Sequence, residues 1–451
     1  MRNAGKPEPP GKQVGKSVLI VGTRGHVQAQ WMPLIAGPAR ALLQCGIPVH
    51  ILLFSVREAP VDPDLADHVR GVFDRLPFWL RPLTPALTRG LYAKRVHDFD
   101  LVLESAFCAI KALTLLHRLN VGAVHFADGC IPVTILFAMF CRCPVVHHCC
   151  TPYTCRREGK RSLRDRVVCL LTDWALRRGR VFFVFENAHT SEICHNVLGD
   201  LAVHVPSGRT PVERMPSKTE ARTRLGLPAD GPVWLCFGGH RDTKDYRTVF
   251  EAARLCDHPP FLLFAGKVVN RDPYAIGSEA GYTAFRVDDR FIPDNEVPFY
   301  FAAADGTILS YVPGASELGG SGVLFDACAY DCPVIAVDTP YFRDFVAQHG
   351  CGVLFEYGSA AQLADAMRVC AGGDPERMAR IRDGLRHARD TYAWSNVIKM
   401  YLVLYGDPFA RLAGATSVLY PTNPPVRAVP MSDGQPETVA VKERGVTLTP
   451  D

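Results

Sequence analysis

The chain has 451 residues, 48% of them hydrophobic and 21% charged, which is typical of a globular protein with more than one core. Its formal net charge is only +4, so the overall charge does not indicate a nucleic-acid partner. Its 16 cysteines, its polar start and the short length of its longest apolar run (131–141) predict a cytoplasmic protein with reduced thiols and no membrane span.

The first half alternates short apolar runs with helix-like spacing, which predicts parallel strands joined by helices. A strand at 16–22, a helix at 31–45 and a strand at 48–54 make the first β-α-β unit. Further strands are predicted at 121–126, 144–148, 181–185 and from 203, and helices at 106–119, 131–141 and 163–176, whereas 58–100 is predicted to be irregular. The first half is therefore expected to be one α/β unit.

Glycine and polar residues follow two of these strands and predict a ligand crevice. Gly22 ends the first strand, Arg24, Gly25 and His26 follow it, and His148 lies at the end of the strand at 144–148. Ligands of parallel sheets bind at the carboxyl ends of the strands, so these residues are candidate binding or catalytic contacts. The glycine spacing differs from G-x-G-x-x-G, so no nicotinamide or flavin site is predicted.

Two stretches of the first half have competing interpretations. The run from His147 to Cys150, with Cys155, suggests zinc, but alternate strand residues point to opposite faces and no C-x-x-C pair is nearby, so no metal site is predicted. The segment 156–180 is basic and contains helix-like apolar spacing. Such a helix can lie on an anionic membrane surface, and the alternative is a packed helix with a solvated charged face.

The second half repeats the alternation after a proline-bounded linker at 206–216. Strands are predicted at 232–237, 261–266, 286–292, 306–310 and 333–337, and helices at 219–225, 248–255, 294–302, 323–330 and 363–369. Two α/β units joined by one short linker imply a cleft between them.

Two loops of the second half predict an anion site in that cleft. Gly238 and Gly239 precede Arg241 and Lys244, whose cations can converge on one phosphate group. The second loop opens the helix at 323–330, where the N–H groups of Ser321, Gly322 and Val323 would hold a diphosphate and Asp326 could accept hydrogen bonds from a ribose. The alternative is a pair of ordinary loops with solvated cations.

These loops resemble those of the retaining nucleotide-sugar glycosyltransferases of group 1 (family four). The run Phe237–Lys244 is similar to the family's Gly, Arg and Lys loop, and Ser310–Ala336 to its signature loop, helix and strand. The run Val205–Gly208 resembles its linker turn, and Tyr392–Tyr405 resembles the final helix that returns to the first domain. The resemblance covers roughly 17–408 and is strongest in 232–356.

The resemblance implies an α/β fold of two facing Rossmann-like doubly wound domains, the GT-B architecture, with a cleft between them. It implies an acceptor-side domain (17–205), a hinge (206–216), a donor-binding domain (217–390) and a returning helix (391–410). The polar start with proline and glycine (1–16) and the proline-rich, weakly patterned tail (411–451) are predicted to be disordered from their composition.

The implied activity is transfer of a sugar from a nucleotide-diphosphate sugar to a glycan, lipid-linked or small-molecule acceptor, with no metal or cofactor and no nucleic acid. Arg241, Lys244, Glu317 and His148 are the expected catalytic residues; the donor would be bound by Gly238, Gly239, Ser321, Gly322, Val323 and Asp326, and Gly25 would line the acceptor side. The family has two glutamates in this region; Asp326 replaces the second, and Glu317 lies one place before the position of the first, Leu318. The alternatives are an epimerase of the same architecture and a non-catalytic homologue.

Overall fold

The computed structural model describes residues 15–23, 31–57, 59–74, 92–149, 163–210, 212, 214–315, 320–407 and 409–412. Gly25 and Glu317, and the zinc candidates Cys150 and Cys155, lie outside these ranges, as do residues 1–14 and 413–451 of the predicted disordered ends. The first two residues of the predicted tail, 411 and 412, end a short helix.

The first half is built on a parallel sheet of seven strands in the order β3-β2-β1-β4-β5-β6-β7. Its strands are β1 (Ser17–Gly22), β2 (Val49–Ser55), β3 (Val69–Phe73), β4 (Val121–Phe126), β5 (Val145–Cys149), β6 (Val181–Phe185) and β7 (Ala202–His204). Its helices are α1 (Gly37–Gln44, after a π-helical segment Trp31–Ala36), α2 (Tyr92–Leu115), α3 (Ile131–Phe140), α4 (Leu163–Arg178) and α5 (Ala188–Leu198). Every residue of β1 is buried, as a parallel strand covered by helices on both faces requires.

The second half has a parallel sheet of six strands in the order β10-β9-β8-β11-β12-β13. Its strands are β8 (Val233–Phe237), β9 (Phe261–Ala265), β10 (Phe285–Asp288), β11 (Gly306–Leu309), β12 (Val334–Val337) and β13 (Gly352–Phe355). Its helices are α6 (Lys218–Leu225), α7 (Tyr246–Arg254), α8 (Pro273–Glu279), α9 (Val297–Ala303), α10 (Gly322–Ala329), α11 (Pro340–His349), α12 (Ala360–Arg368) and α13 (Pro375–Thr391). Two last helices follow, α14 (Trp394–Leu404) and α15 (Phe409–Leu412).

The predicted α/β class and the two parallel sheets are confirmed. The prediction that 58–100 is irregular is wrong for the described part of this range, because the edge strand β3 and the first part of α2 lie there, whereas residues 75–91 lie outside the described residues. β3 is a short edge strand whose residues are at most partly buried, so it lacks the apolar run that marks a central strand. The helices α5, α8, α11 and α13 and the strand β13 were not anticipated either.

The chain passes between the two halves twice, and both crossings meet at Arg209. The backbone N–H of Arg209 donates to the carbonyl of Tyr392 at 2.8 Å, and the N–H of Trp394 donates to the carbonyl of Arg209 at 3.0 Å. The helix α14 then packs its apolar side against the core of the first half, beside α1. The linker and the returning segment therefore form one hydrogen-bonded pair.

No described helix combines the length and the hydropathy that crossing a bilayer requires.

Two buried histidines of the first half predict a loss of stability in acid. Burial lowers the pKa of His125 to about 3 and that of His147 to about 3, whereas an unfolded histidine titrates near 6.5. Between these values only the unfolded state takes up the proton, so the free energy of unfolding falls as the pH drops below about 6.5. Each such group contributes a slope of about 1.4 kcal/mol per pH unit.

Urea unfolding at pH 7 and pH 5 measures this slope. His125→Gln keeps a hydrogen-bonding side chain for the Tyr405 hydroxyl, which lies 2.7 Å from His125 Nδ1, but cannot titrate. The variant should lose about 2 kcal/mol less than wild type between the two pH values. His117→Gln, the same substitution at an exposed position, is the matched control. If the free energy of unfolding of His125→Gln falls with pH as steeply as that of wild type, His125 is not one of the groups that cause the loss of stability in acid.

Candidate functional site

The two glycine-rich loops of the second half lie against each other at the carboxyl ends of β8 and β11. Gly238 follows β8 with a φ of 91°, and a Cβ atom at this position would lie 3.3 Å from Val323 Cγ2 in α10. A positive φ and a close neighbour both favour glycine here. The structure therefore brings the Gly238–Lys244 loop and the start of α10 to one place, as the sequence analysis expects.

The start of α10 has the features of an anion-binding helix terminus. Ser321 is the N-cap residue, and its hydroxyl lies 3.2 Å from the Tyr311 hydroxyl instead of capping the helix. The N–H of Ser321 donates to the Tyr341 hydroxyl at 3.4 Å. Gly322 and Val323 form the first turn, where backbone N–H groups have no acceptor within the helix. A negatively charged ligand at this end would meet those N–H groups and the positive end of the helix dipole.

Lys244 and Arg241 approach the same region with different exposure. Lys244 is 6% exposed, and its Nζ lies 4.2 Å from the centre of the Tyr311 ring. Arg241 is exposed to solvent. Burial alone would raise the pKa of the Tyr311 hydroxyl. The positive charges of Lys244 and Arg241 and the hydrogen bond with Ser321 lower it by more, so the pKa of Tyr311 lies below its ordinary value. Both cations therefore act electrostatically on a group that touches the N-cap of α10.

Two buried polar atoms next to Lys244 have no hydrogen-bond partner in the part of the chain that the structure describes. They are Nε2 of His240 and Oγ of Ser310. The other ring nitrogen of His240, Nδ1, lies 2.5 Å from the Tyr246 hydroxyl. Burial, followed by the Lys244 charge, lowers the pKa of His240 to about 4, so this ring is neutral at pH 7. Buried polar atoms without partners are costly, and a polar ligand in the loop could satisfy them.

Asp326 binds Arg209, a residue that no motif in the sequence indicates. Arg209 Nε donates to Asp326 Oδ1 at 2.5 Å, and a terminal nitrogen of the same guanidinium donates to the Gly322 carbonyl at 2.9 Å. The other terminal nitrogen donates to the Ser207 hydroxyl at 2.6 Å. The side chains of Arg209 and Asp326 are only 15% and 23% exposed. Arg209 thus joins the predicted hinge segment to α10.

His148 lies in the first half, beside another unpredicted residue. Its Nε2 is 3.5 Å from Glu186 Oε1, and its Nδ1 is 3.4 Å from the Tyr401 hydroxyl of α14. Burial lowers the pKa of His148, and the carboxylates of Glu186 and Asp128 oppose that shift only in part. His148 is therefore a neutral ring with an adjacent carboxylate at the carboxyl end of β5.

Glu186 connects this histidine to the second half. It follows β6, and a Cβ atom on Gly320 would lie 3.0 Å from Glu186 Oε2. The carboxylate therefore faces the loop that precedes α10 across the cleft. The sequence did not single out Glu186, because its only signal is its position directly after a buried parallel strand. Glycines and prolines mark other loops more strongly.

The loop after β1 is held by Asp128, which the sequence places at the end of β4. Asp128 Oδ1 accepts hydrogen bonds from the Thr23 backbone N–H at 2.8 Å and from the Thr23 hydroxyl at 2.7 Å. Gly25, the predicted acceptor-side residue of this loop, lies outside the described residues, as does Glu317. Within the described ranges no group of three metal-ligating side chains has a geometry that could hold a metal ion.

A cavity of about 450 Å³ lies elsewhere in the second half. It is bordered by Asp305 and Pro333, which precede β11 and β12, and by Lys218 at the start of α6. The amino ends of the strands are at the opposite edge of the sheet from the glycine-rich loops, so this cavity is separate from the candidate site.

The fold and these loops define the GT-B architecture of two facing Rossmann-like halves. Residues 217–384 match the family model of the glycosyl transferases group 1. The chain is 28% identical over 254 residues to a 2-deoxystreptamine glucosyltransferase of Streptomyces kanamyceticus. This match covers 54% of the chain. The chain spans 64% of the length of that relative.

Solved structures agree with the architecture. Anabaena HepE in complex with UDP and glucose superposes with a TM-score of 0.62 at 14% identity, covering 86% of this chain and 98% of its own. A sucrose-phosphate synthase of Thermosynechococcus elongatus gives a TM-score of 0.62 at 16% identity, with 88% and 100% covered. At these identities the likeness establishes the fold.

Proposed function

We propose that the protein is a retaining glycosyltransferase that moves a sugar from a nucleotide-diphosphate sugar to an acceptor held by the first half. The observation that carries the proposal is that Lys244, buried against Tyr311, and the first turn of α10 come to one place from two loops, with Arg241 exposed on the loop that carries Lys244. This arrangement matches the charge of a diphosphate. Gly238 and Gly239 allow the backbone to come close to it.

The chemistry proposed for this site is stabilisation of a leaving group. The bond between the anomeric carbon and the diphosphate oxygen breaks, and a bond to the oxygen of an acceptor hydroxyl forms on the same face of the sugar. The proton of that hydroxyl passes to the departing diphosphate. Negative charge then grows on the diphosphate, and Lys244, Arg241 and the N–H groups of Gly322 and Val323 stabilise it as fixed charges and dipoles. In this proposal no metal is required, because these groups supply the positive charge.

The remaining predicted residues have roles around that centre. Asp326 is proposed to bind the ribose through Oδ2, since Arg209 holds Oδ1. Glu317 is proposed to contact hydroxyl groups of the transferred sugar, and Gly25 and His148 to line the acceptor side. Glu186 joins His148 there as a second polar group facing the cleft.

The comparisons suggest which substrates to test first. HepE was solved with UDP and glucose, and the relative from Streptomyces kanamyceticus is named a 2-deoxystreptamine glucosyltransferase. UDP-glucose is therefore the first donor and 2-deoxystreptamine the first small-molecule acceptor, followed by glycan and lipid-linked acceptors. No observation favours the epimerase or the non-catalytic alternative over the transferase.

The test is a transfer assay with a panel of nucleotide sugars, each offered with and without the acceptors. Acceptor-dependent release of the nucleoside diphosphate, with the sugar recovered on the acceptor, is the expected result. A sugar product formed without any acceptor would support an epimerase or hydrolase. Lack of donor binding and of turnover with every nucleotide sugar would overturn the proposal.

Arg241→Ala should lower kcat/KM for transfer by well over tenfold, because it removes one cation from the leaving diphosphate. The residue is exposed, so the melting temperature of the unliganded variant should stay close to that of wild type. Arg254→Ala, an exposed arginine at the end of α7, is the matched control and should keep full activity. Full activity in Arg241→Ala would remove this residue from the site.

A further inference from the structure

Three neighbouring helices of the first half expose apolar side chains. The helix α3 packs against α2 on one side and α4 on the other. Ile110 of α2 is 63% exposed, Phe140 of α3 is 75% exposed and Leu170 of α4 is 67% exposed. Large apolar side chains exposed singly are ordinary, but a group on adjacent helices marks an interaction surface.

The middle helix is the clearest case. The helix α3 has no charged residue, and a helix that is apolar all round is normally buried on every side. Its three exposed residues are Leu136, Met139 and Phe140, so everything it presents to solvent is apolar. We name the exposed apolar residues Ile110, Leu136, Met139, Phe140 and Leu170 of these three helices the α2–α4 face.

Exposed cations lie on α2 and α4 and shortly after α2 and α3. They are Lys111, Arg118, Arg142, Arg166, Arg177 and Arg178. Arg142 follows α3 directly, and its carbonyl accepts a hydrogen bond from the exposed Arg180 at 3.4 Å. Among the side chains described within 101–149 and 166–180, the acidic ones, Glu104, Asp128 and Asp173, are buried or half-buried, and none is exposed.

We propose that the α2–α4 face docks the protein onto an anionic lipid bilayer as a peripheral contact. Apolar side chains that enter the acyl boundary, surrounded by arginine and lysine that meet lipid phosphates, are the combination that interfacial helices use. The basic segment 156–180, singled out in the sequence, contributes α4 to this larger surface. An anionic bilayer complements both features of this surface, because its phosphates attract the cations and its acyl chains contact the exposed apolar side chains.

Other occupants fit the face less well. A second copy of the chain would bring like charges together across the interface, which is unfavourable. A nucleic acid would meet the arginines but would leave Phe140 and Met139 without an apolar partner. The proposal does not depend on sugar transfer, because membrane binding can be measured with no donor or acceptor present.

The experiment is sedimentation of the full chain with vesicles in 100 mM NaCl. Vesicles of phosphatidylcholine and phosphatidylglycerol in equal parts are compared with vesicles of phosphatidylcholine alone. Binding is expected only to the anionic vesicles and should weaken as salt is raised to 500 mM. Equal binding to both vesicles, or no binding to either, would overturn the proposal. Dimerisation in solution that buries the face instead would overturn it as well.

Two sets of variants separate the apolar and the charged contributions. Phe140→Gln combined with Leu170→Gln should reduce the vesicle partition coefficient at least tenfold. The control is Leu255→Gln with Tyr274→Gln, two similarly exposed residues of the second half at 54% and 64%, and it should bind like wild type. All four side chains are at the surface, so circular dichroism should show folded proteins.

The charged set is Arg177→Gln with Arg178→Gln. Each cation near an anionic surface contributes a factor of about five, so the double variant should bind about 25-fold more weakly. Arg380→Gln with Arg382→Gln removes the same charge from exposed positions of α13 and serves as the control. If both pairs weaken binding equally, the contact depends on net charge alone and the α2–α4 face is not the docking surface.

Discussion

Lys244→Ala is expected to lower kcat/KM for sugar transfer by about 10²–10³-fold, the range found when one preorganised group that stabilises transition-state charge is removed. The expected loss exceeds that for Arg241→Ala because Lys244 is buried beside Tyr311, where solvent screens its charge less. Steady-state kinetics with the donor identified from the panel measures the effect. Lys267→Ala, an exposed lysine paired with Asp289 at 2.9 Å, is the control and should behave as wild type.

Ligand-induced stabilisation gives a second readout for the same variant. A nucleoside diphosphate that binds the folded state raises the melting temperature by an amount set by its concentration and dissociation constant. The shift produced by UDP in wild type should be largely lost in Lys244→Ala and retained in Lys267→Ala. Wild-type kinetics together with a wild-type shift in Lys244→Ala would place the diphosphate elsewhere.

Arg209→Met should destabilise the protein by about 2–3 kcal/mol, because it leaves the Asp326 carboxylate mostly buried without its cation. The figure lies below the range for fully buried pairs, since both side chains keep some contact with water. Urea unfolding measures it. Arg343→Met is the matched control, because its pair with Asp338 at 2.8 Å is more exposed and should contribute less than about 1 kcal/mol.

A double-mutant cycle tests the mechanism behind that loss. Asp326→Asn removes the charge that Arg209 neutralises, so Arg209→Met should cost less in the Asp326→Asn background than in wild type. Additive losses would show that Arg209 stabilises the protein through Ser207 and Gly322 rather than through Asp326. Because Arg209 joins the predicted hinge segment to α10, Arg209→Met should also change kcat and KM together.

Much of the fold could be predicted because apolar runs of parallel strands are continuous and bounded by glycine or proline. The strands β4 and β6 have the predicted bounds, and most other predicted elements shift by one or two residues. The elements that sequence reasoning missed lack such contrast. The edge strand β3 is only partly buried, and α5 begins with polar residues, so neither shows a distinctive period.

The candidate site was predictable only in part, for a different reason. Gly238, Lys244 and Val323 belong to loops whose composition alone suggests anion binding, and the structure brings these loops together. Tyr311 lies inside the run Ser310–Ala336 without any sequence feature that singles it out, and Glu186 is a single polar residue after a strand, with no motif around it. Their partners, Lys244 and His148, are 67 and 38 positions away in the chain, so only the folded sheets bring them together.

The paired crossings at Arg209 restrict how the two halves can move. If a single chain segment connected the two halves, it could both bend and twist, so one half could rotate about that segment relative to the other. Here two chain segments run side by side, joined by hydrogen bonds of 2.8 and 3.0 Å, and twisting would break these bonds while bending across the pair would keep them. The rotation of one half against the other that keeps both bonds is therefore a bend across the pair, and such a bend changes the width of the cleft between Lys244 and His148.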